Sequence, residues 1–496
     1  MKMPYTLGLS AGYHDAAATV INGQGDIVFA GHSERYSKLK NDPAVSKGLL
    51  EELCSWNYAT VAYYERPWMH NLQQLYTGQR ELGPWTTSKA LRNHLGSWYQ
   101  HRAPREVAYG HHLSHAASGF QTSTFDRATV VVIDAIGEFD TISIYGAEYD
   151  QTGRAVYRKL WGQRYPHSIG LFYSAVTKRL GLRPLDEEYI TMGMAAYGSR
   201  MSSVLMHSEL IASVDQVRFK QNLHVGLDDD AFNGYTDYDI AAGAQAVAEE
   251  LIYSVMRRAR DFGWSTNLVY QGGVALNCLA NRNLGEYFEN IWIMPCPGDA
   301  GSSLGAAALA HGGPIAWKDA YLGHNIPGEY PVDACISHLL RDRIVGVASG
   351  RAEFGPRALG NRSLLADPRG NDIKDRVNEI KRRQKFRPFA PVILAEHADV
   401  YFDMPRAFAD SPYMQSVAVC RRPDLYPAIA HHDGTSRVQT VADNGSGIRK
   451  LLEAWYAATG CPMLLNTSLN IRGEPMVNDR ADADRFESLY GVTVCS

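Results

Sequence analysis

Short apolar runs separated by polar turns open the chain and predict a β unit. The runs occupy residues 6–10, 16–21 and 27–30, and Asn22-Gly23 between the last two is typical of a hairpin turn. The same order of strand, acidic turn, strand, glycine turn and strand recurs over residues 129–160. We predict a doubled architecture, as in a two-lobed fold that holds a nucleotide or phosphate between paired turns. The alternative is two hairpins that arise by chance in an ordinary α/β protein.

Helical periodicity appears at residues 170–183 and 240–262, where Asp239 is the predicted N-cap of the second helix and its apolar stripe is core. A strand at 267–271 follows, and then Gly272-Gly273 and a helix start at Asn277. Paired glycines there let backbone N–H groups approach an anion or a nucleotide, although a plain tight turn is the alternative.

Glycines and prolines between residues 312 and 331 mark a domain boundary. We predict a first domain over residues 1–325 and a second over 340–496, with 332–345 as part of the connection. Strands are predicted at 344–348 and 463–465 in the second domain.

The composition is that of an ordinary globular protein, with 45% hydrophobic residues, 21% charged residues and a net charge of −4. A strongly basic surface for non-specific DNA binding is not indicated. The seven scattered cysteines include no C-x-x-C pair, which argues against a disulfide framework and for a reducing compartment. The sequence has neither a visible signal peptide nor a run of 18 apolar residues, so we expect a cytoplasmic protein without a membrane segment.

A histidine-rich segment, Gly110 to Ala116, carries the first candidate chemistry. Read as helix, it places His111 and His115 on one face, where two imidazoles can hold one divalent metal. The alternative is that one histidine is buried and hydrogen-bonded. Asp299, before a helix predicted at 302–310, is either an N-cap or the carboxylate that completes a His/His/Asp metal site.

Cations and strand-end polar groups in the second half indicate phosphate binding. Arginine suits multidentate contact with phosphate. The sequence contains no P-loop motif, so ATP would have to bind through a different phosphate-binding structure. Lys40 follows a strand within a charge-rich loop and is either solvated or a phosphate partner. The second-half candidates are Arg351, Arg357, Arg362, Lys385, Arg387, Asn466, Ser468, Asn470 and Arg472.

Several motifs in one order resemble the NodU/CmcH-type O-carbamoyltransferase family over nearly the whole chain. They are His14-Asp15, Glu34-Arg35 with Lys40, His111 to Ala116, Glu188-Tyr189 with Met192-Gly193, Gly272 to Asn277, Gly298 to Gly301, Glu353 to Ser363, Arg387 to Pro391 and Asn466 to Pro475. The resemblance implies an α/β protein: an N-terminal actin-like (ASKHA/Kae1-like) duplicated domain followed by a smaller C-terminal YrdC-like α/β domain.

The resemblance also implies a reaction. The C-terminal domain converts carbamoyl phosphate and ATP, with Mg²⁺, into carbamoyl-adenylate. The N-terminal domain then transfers the carbamoyl group to an acceptor hydroxyl with the help of Fe²⁺ or another divalent metal such as Mn²⁺, held by His111, His115 and Asp299.

Roles follow for the remaining candidates. His14 or Asp15 is the expected base for the acceptor hydroxyl. The other expected catalytic residues are Lys40, Arg357 and Arg387, and the expected cofactor-binding residues are Gly272, Gly273, Asn277, Arg351, Arg362, Lys385, Asn466, Ser468, Asn470 and Arg472. The chain departs from the family pattern at Ala135 and Ile190, which puts acceptor contacts in doubt more than metal binding.

Two alternatives to this function stay open from the sequence. One is a threonylcarbamoyl-type tRNA modification protein, and the other is a non-catalytic actin-like nucleotide-binding module. The acceptor is open too: a sugar or natural product, or a hydroxymethyl-pyrimidine nucleotide or DNA. The insertion at 64–101 either stacks bases or packs a lid or homodimer surface, through Trp68, Trp85, Arg92, Trp98 and Tyr99.

Overall fold

The structure is a computed structural model that describes residues 5–78, 82–100 and 104–496. Its first sheet has the strand order β3-β2-β1-β4-β5, in which β1 is antiparallel to β2 and parallel to β4. The strands are β1 (Tyr5–Ser10), β2 (Ala17–Ile21), β3 (Ile27–His32), β4 (Tyr58–Tyr63) and β5 (Arg105–Ala108).

A second sheet repeats this arrangement. Its strands, together with a separate hairpin β9-β10, are β6 (Arg127–Gly137), β7 (Asp140–Tyr149), β8 (Ala155–Arg164), β9 (Ile211–Ser213), β10 (Arg218–Phe219), β11 (Asn267–Gln271) and β12 (Asn290–Trp292). The order is β8-β7-β6-β11-β12, and β6 is antiparallel to β7 and parallel to β11. Both three-strand units predicted from the polar turns are therefore confirmed as strands, and the two sheets share one strand order. The actin-like assignment stays a prediction.

The helices of the first part of the chain connect and cover these sheets. They are α1 (Glu34–Ser37), α2 (Lys47–Leu53), α3 (Pro67–Tyr76), α4 (Thr87–Gln100), α5 (His111–Phe120), α6 (Ile169–Arg179), α7 (Glu188–Met194), α8 (Ser202–Leu210), α9 (Asp237–Asp261), α10 (Cys278–Asn281) and α11 (Ser302–His311). Helices α11 and α5 pack on each other, α11 against the first sheet and α5 against the second. A Cβ at Gly305 would lie 1.7 Å from the Ser114 carbonyl oxygen, so this close approach requires glycine.

The second half is built on a six-stranded mixed sheet, in the order β21-β17-β22-β16-β14-β23, with its own apolar core. The strands after residue 320 are β13 (Tyr321–Ile326), β14 (Ile344–Ala348), β15 (Gly350–Glu353), β16 (Arg362–Ala366), β17 (Ala390–Leu394), β18 (Phe402–Asp403), β19 (Ala418–Cys420), β20 (Thr435–Ser436), β21 (Gln439–Val441), β22 (Met463–Ser468) and β23 (Val494–Cys495). The helices are α12 (Val332–Asp342), α13 (Ile373–Ile380), α14 (Ala398–Tyr401), α15 (Gly447–Thr459) and α16 (Arg480–Tyr490).

Two local expectations were wrong, and the structure decides against one of two open alternatives. Residues 332–345 are not a connection, because α12 packs on α15 and β14 of the second half. The N-cap of α9 is Thr236, and Asp239 is instead the third residue of a capping box. The N-cap of α11 is Gly301, which leaves the Asp299 carboxylate free for another role. The domain boundary stays a prediction, and β13 pairs with β15 across it.

Helices long and apolar enough to cross a membrane are absent from the described ranges. In the insertion, Trp68 and Trp85 are partly exposed, whereas Tyr99 is buried. The Trp98 side chain lies outside the described residues.

Candidate functional site

Four buried donor atoms from three separate segments meet between the two sheets. The Nε2 atoms of His111 and His115, one turn apart on α5, lie 3.0 Å from each other. Asp299 Oδ1 is 3.3 Å from His111 Nε2 and 3.2 Å from His115 Nε2. Asp134 Oδ2, from β6, is 3.2 Å and 3.4 Å from the same two nitrogens. The structure thus brings the three predicted ligands together and adds Asp134, which the predicted set omitted.

Neighbouring backbone groups orient these side chains. His115 Nδ1 donates to the Pro297 carbonyl oxygen at 3.0 Å, which turns the Nε2 lone pair toward the other three donors. The Gly273 N–H lies 3.2 Å from Asp134 Oδ1 and donates to it. Gly272 has a φ of 91°, and a Cβ there would lie 2.2 Å from the Ile133 carbonyl oxygen. The paired glycines therefore do bring backbone close to an anion, and that anion is the Asp134 carboxylate.

The electrostatics of this four-donor cluster favour a bound cation. Burial opposes charge on His111, but Asp299 and Asp134 outweigh it and raise the His111 pKa well above its usual value. The pKa of Asp134 is held well below its usual range, because hydrogen bonds from His111 and His115 outweigh burial. Two imidazoles with two carboxylates suit a divalent first-row metal. The five donor separations that include a histidine nitrogen are 3.0–3.4 Å, and all four donor atoms lie within 4.8 Å of one another. The five short separations match neighbouring ligands that lie about 2.1 Å from one ion. The residues present therefore fit such a metal.

His14 and Asp15 form the accessible side of the four-donor cluster. His14 Nε2 is 3.7 Å from Asp299 Oδ2, and His14 Nδ1 is 3.3 Å from Asp15 Oδ2. About a third of each of these two side chains is exposed, whereas the four donors are buried. Burial opposes charge on His14, but Asp15 and Asp299 raise its pKa to about 9. Asp15 has a φ of 55°, a left-handed conformation that is uncommon for a non-glycine residue and clusters at functional sites.

Lys40 extends this accessible side. Its Nζ lies 3.3 Å from Glu34 Oε2. Burial alone would lower the Lys40 pKa, but the charges of Glu34 and Asp15 raise it. The structure therefore places Lys40 beside Asp15 and not among the arginines of the second half.

A cluster of cations in the second half, which we call the basic cluster, consists of Arg357, Arg383, Arg387, Arg437 and Arg472. Arg387 stacks on the Tyr189 ring, 4.7 Å from its centroid, and burial together with Arg472 and Arg437 lowers its pKa. Burial and the charge of Arg437 lower the pKa of Arg357 to about 9. Such crowding of like charges is favourable only when an anion lies among them. Of the five, Arg357, Arg387 and Arg472 were predicted.

Lys381 joins the predicted Ser468 and Asn470 to the basic cluster. Its buried Nζ donates to Ser468 Oγ at 3.2 Å and to Asn470 Oδ1 at 2.9 Å. Burial and the charges of Arg383 and Arg387 hold its pKa well below the usual value. Lys381, Arg383 and Arg437 were not singled out from the sequence, because no strand or glycine motif was predicted next to them. Four cations in five residues, at 381–383 and 385, were the available sign.

Two predicted phosphate-binding arginines have structural roles instead. Arg362 is fully buried and donates to five backbone carbonyls, those of Asn478, Ser349, Asn361, His324 and Gly350, at 2.9–3.1 Å. Arg351 donates to the carbonyls of Val28, Leu322 and Gly323. Because these guanidinium groups are committed to carbonyls, the prediction that they bind a nucleotide is corrected.

Three further predicted residues also have partners within the protein. Asn277 exchanges hydrogen bonds with Gln245 at 3.0 Å and caps α10. Asn466 is buried and donates to the Ala358 carbonyl and to Gln439. Lys385 is exposed and lies 3.6 Å from the exposed Glu379. The Asn277 and Asn466 side chains are thus committed to partners within the protein, whereas the binding role of the exposed Lys385 stays a prediction. Arg472, by contrast, belongs to the basic cluster and pairs with Glu187 of the first half at 3.0 Å.

Comparison with known proteins identifies the family. A profile described as carbamoyltransferase N-terminus matches residues 79–308, and one described as carbamoyltransferase C-terminus matches residues 336–493. An uncharacterized protein of Synechocystis is 32% identical over 97% of this chain and 94% of its own. The nodulation protein NolO of Bradyrhizobium diazoefficiens is 32% identical over 75% of each chain.

A named enzyme and a solved structure are also among the matches. The 3'-hydroxymethylcephem-O-carbamoyltransferase of Amycolatopsis lactamdurans is 32% identical over 67% of this chain and 68% of its own. Among solved structures, full-length HypF superposes with a TM-score of 0.35 and 13% identity, covering 62% of this chain and 55% of that one. With profiles matched in both halves and 32% identity to relatives over more than two thirds of their length, the chain belongs to the carbamoyltransferase family of enzymes, of the NodU/CmcH type.

Proposed function

We propose that the protein is an ATP-dependent O-carbamoyltransferase that works in two half-reactions. In the first, carbamoyl phosphate, water and ATP give carbamoyl-adenylate, phosphate and pyrophosphate. In the second, carbamoyl-adenylate and an acceptor alcohol give the O-carbamoyl product and AMP. The name of the cephem relative, an O-carbamoyltransferase, supports a hydroxyl acceptor.

The basic cluster supports the first half-reaction. ATP and carbamoyl phosphate bring several negative charges, and adenylate formation develops more charge on the departing pyrophosphate. Arg357 has no hydrogen bond or ion pair within the described ranges, so its guanidinium is free to bind phosphate oxygens. Arg387 is held in place by the Tyr189 ring. These residues would bind and orient the two phosphate-bearing substrates.

The four-donor cluster supports the second half-reaction. His111, His115, Asp134 and Asp299 would hold Fe²⁺ or Mn²⁺, and the ion would polarise the carbamoyl oxygen and lower the pKa of His14. The His14–Asp15 pair is exposed beside the cluster and would take the acceptor hydroxyl proton. The buried walls would keep water from competing for the activated carbamoyl group.

One observation carries the proposal: a single chain contains the buried four-donor cluster and a separate basic cluster, each in the half matched by its own family profile. Apart from Arg472, the arginines of the basic cluster have no carboxylate partner within the described ranges. A non-catalytic nucleotide-binding module has no use for the four-donor cluster. Transfer to an alcohol needs both clusters.

The test separates the half-reactions with three variants. Carbamoyl-phosphate-dependent exchange between ATP and labelled pyrophosphate reports activation, and a carbamoyl mass gain on an acceptor reports transfer. Arg387→Met should lose exchange by about 100-fold or more, because a preorganised charge is removed. His115→Ala should keep exchange and lose transfer. The matched control is Lys385→Met, which removes an exposed cation two residues from Arg387 and should change neither.

The acceptor panel comprises hydroxylated sugars, natural-product alcohols, nucleotides and hydroxymethylated DNA. A carbamoyl gain on one class identifies the acceptor. Absence of carbamoyl-phosphate-dependent exchange by the wild-type protein would overturn the proposed function.

A further inference from the structure

Arg35 is a buried cation without an anionic partner. Its side chain is 2% exposed, and its Nη2 donates to the Gly355 carbonyl oxygen at 3.0 Å. Its Nε and Nη1 have no hydrogen-bond partner in the part of the chain that the structure describes. Carboxylates of the described residues all lie beyond ion-pair distance of this guanidinium, including Glu34 next to it, which binds Lys40.

Arg362 shows what a structural arginine looks like in the same region. Its guanidinium is equally buried, and all three of its nitrogens donate to backbone carbonyls. Burying an unpaired charge costs several kcal/mol, which proteins ordinarily avoid by pairing it. An unpaired, buried Arg35 is therefore the arrangement expected of a residue whose partner is a ligand.

The surroundings of Arg35 indicate what kind of ligand it binds. On one side, Arg35 is bound to the Gly355 carbonyl, two residues before Arg357 of the basic cluster. On the other side, its neighbour Glu34 holds Lys40, whose charge acts on Asp15 beside the four-donor cluster. His32 faces the same space and stays neutral, because burial and the Arg35 charge lower its pKa to about 4. Arg35 is thus connected through Gly355 to the segment of Arg357 and through Glu34 to Lys40, and it has no anionic partner within the described ranges.

We propose that Arg35 binds the phosphoryl group of the activated carbamoyl donor while the carbamoyl group is transferred. This inference rests on the proposed function. During transfer, the acceptor oxygen bonds to the carbamoyl carbon, and the bond from that carbon to the phosphate oxygen breaks. AMP leaves with the electron pair, and the hydroxyl proton goes to the His14–Asp15 pair. Arg35 neutralises the charge that develops on the leaving phosphate.

The first test compares melting temperatures of Arg35→Met and Arg362→Met in phosphate-free buffer, with and without AMP. Arg362→Met should melt well below wild type, because five carbonyls lose their donors. Arg35→Met should melt at or above wild type, because an unpaired buried charge is removed. In an Arg387→Met background, which weakens the basic cluster, AMP should still raise the melting temperature, and adenosine should not. Adding Arg35→Met to that background should abolish the AMP effect.

The second test uses the half-reactions. Arg35→Met should keep pyrophosphate exchange within about twofold of wild type and lose transfer by about 100-fold. The inference is overturned if Arg35→Met melts as low as Arg362→Met with the AMP effect intact, or if its transfer matches wild type. A wild-type protein without exchange would instead refute the proposed function, and the AMP melting test would still decide whether Arg35 binds a phosphate.

Discussion

His112 stands between two candidate ligands in the sequence, and the structure separates it from them. Its Nδ1 is 2.9 Å from Ser143 Oγ, and it is not among the four donors. Burial and the charges of His111 and His115 hold its pKa well below the usual value. A neutral, hydrogen-bonded core histidine is therefore found one residue from a ligand candidate, and only the direction of the side chain distinguishes them.

This contrast gives a prediction for metal binding. Asp134→Asn and Asp299→Asn should each weaken Mn²⁺ binding by about 100-fold or more, since even outer partners of metal ligands are worth 10–100-fold. His112→Gln is the control and should bind like wild type. Titration of the metal-free protein followed by electron paramagnetic resonance measures the affinity. Equal affinity of Asp134→Asn and wild type would remove Asp134 from the ligand set.

His32 carries a prediction about pH. Its Nε2 accepts a hydrogen bond from the Gly355 N–H at 3.0 Å, and its pKa is lowered to about 4 by burial and Arg35. In the unfolded chain, His32 has an ordinary pKa near 6.5. The folded protein keeps His32 neutral, so the contribution of this residue to the free energy of unfolding is fully present above pH 6.5. That contribution is lost as the pH falls from 6.5 toward 4. The loss amounts to about 3 kcal/mol. His32→Gln, whose amide oxygen can accept the same bond, should narrow the melting-temperature difference between pH 7 and pH 5.

Ser337→Ala on α12 serves as the control for pH, because this change removes no titratable group. It should leave that difference unchanged. A His32→Gln protein with the same pH profile as wild type would contradict the prediction.

At the scale of elements, the turn between β11 and the following helical turn is a tightly constrained part of the site. Gly272→Ala should destabilise the protein by about 3 kcal/mol or more, because the added Cβ meets the Ile133 carbonyl and the φ of 91° disfavours alanine. Gly234→Ala, where a Cβ meets open space, is the control. Differential scanning calorimetry compares the two, and a melting temperature of Gly272→Ala equal to that of Gly234→Ala would refute the argument.

The elements near the site could be predicted because their patterns are local. The spacing of His111 and His115 indicated α5, and the apolar run before Gly272 indicated β11, whose bounds are as predicted. Asp134 was visible as the acid of a polar turn, but its meeting with α5 depends on how β6 and α5 pack. Local sequence does not encode that contact. For the same reason, Arg357 and Arg362 look alike in sequence, although only Arg362 points into the core.

At the scale of the whole molecule, the net charge of −4 hides a strong local asymmetry. In the four-donor cluster two histidines face two carboxylates, whereas the basic cluster gathers five arginines. The basic cluster therefore stores repulsion that an anionic ligand would relieve. Functional sites of this kind commonly reduce stability.

Arg437→Gln tests that stored repulsion. The Nε of Arg437 is buried and unpartnered within the described ranges, and its charge acts on Arg357 and Arg387. The variant should raise the stability of the ligand-free protein by about 1 kcal/mol at low salt and weaken ATP binding. Melting curves at low and high salt, with calorimetric ATP titrations, measure both effects. Lower stability together with unchanged ATP binding would contradict the proposed role of the basic cluster.

Arg351 and Arg362, which connect the two halves of the chain by hydrogen bonds, have one more consequence. Arg351 reaches the carbonyls of Val28 and Leu322, and Arg362 reaches that of His324. Every amino acid supplies a main-chain carbonyl, so these attachments make no demand on the side chains opposite. Mutations that reshape the acceptor-facing surface can therefore accumulate without breaking these hydrogen bonds between the two halves. Retargeting such an enzyme to a new alcohol by directed evolution should succeed more readily when both arginines are left untouched.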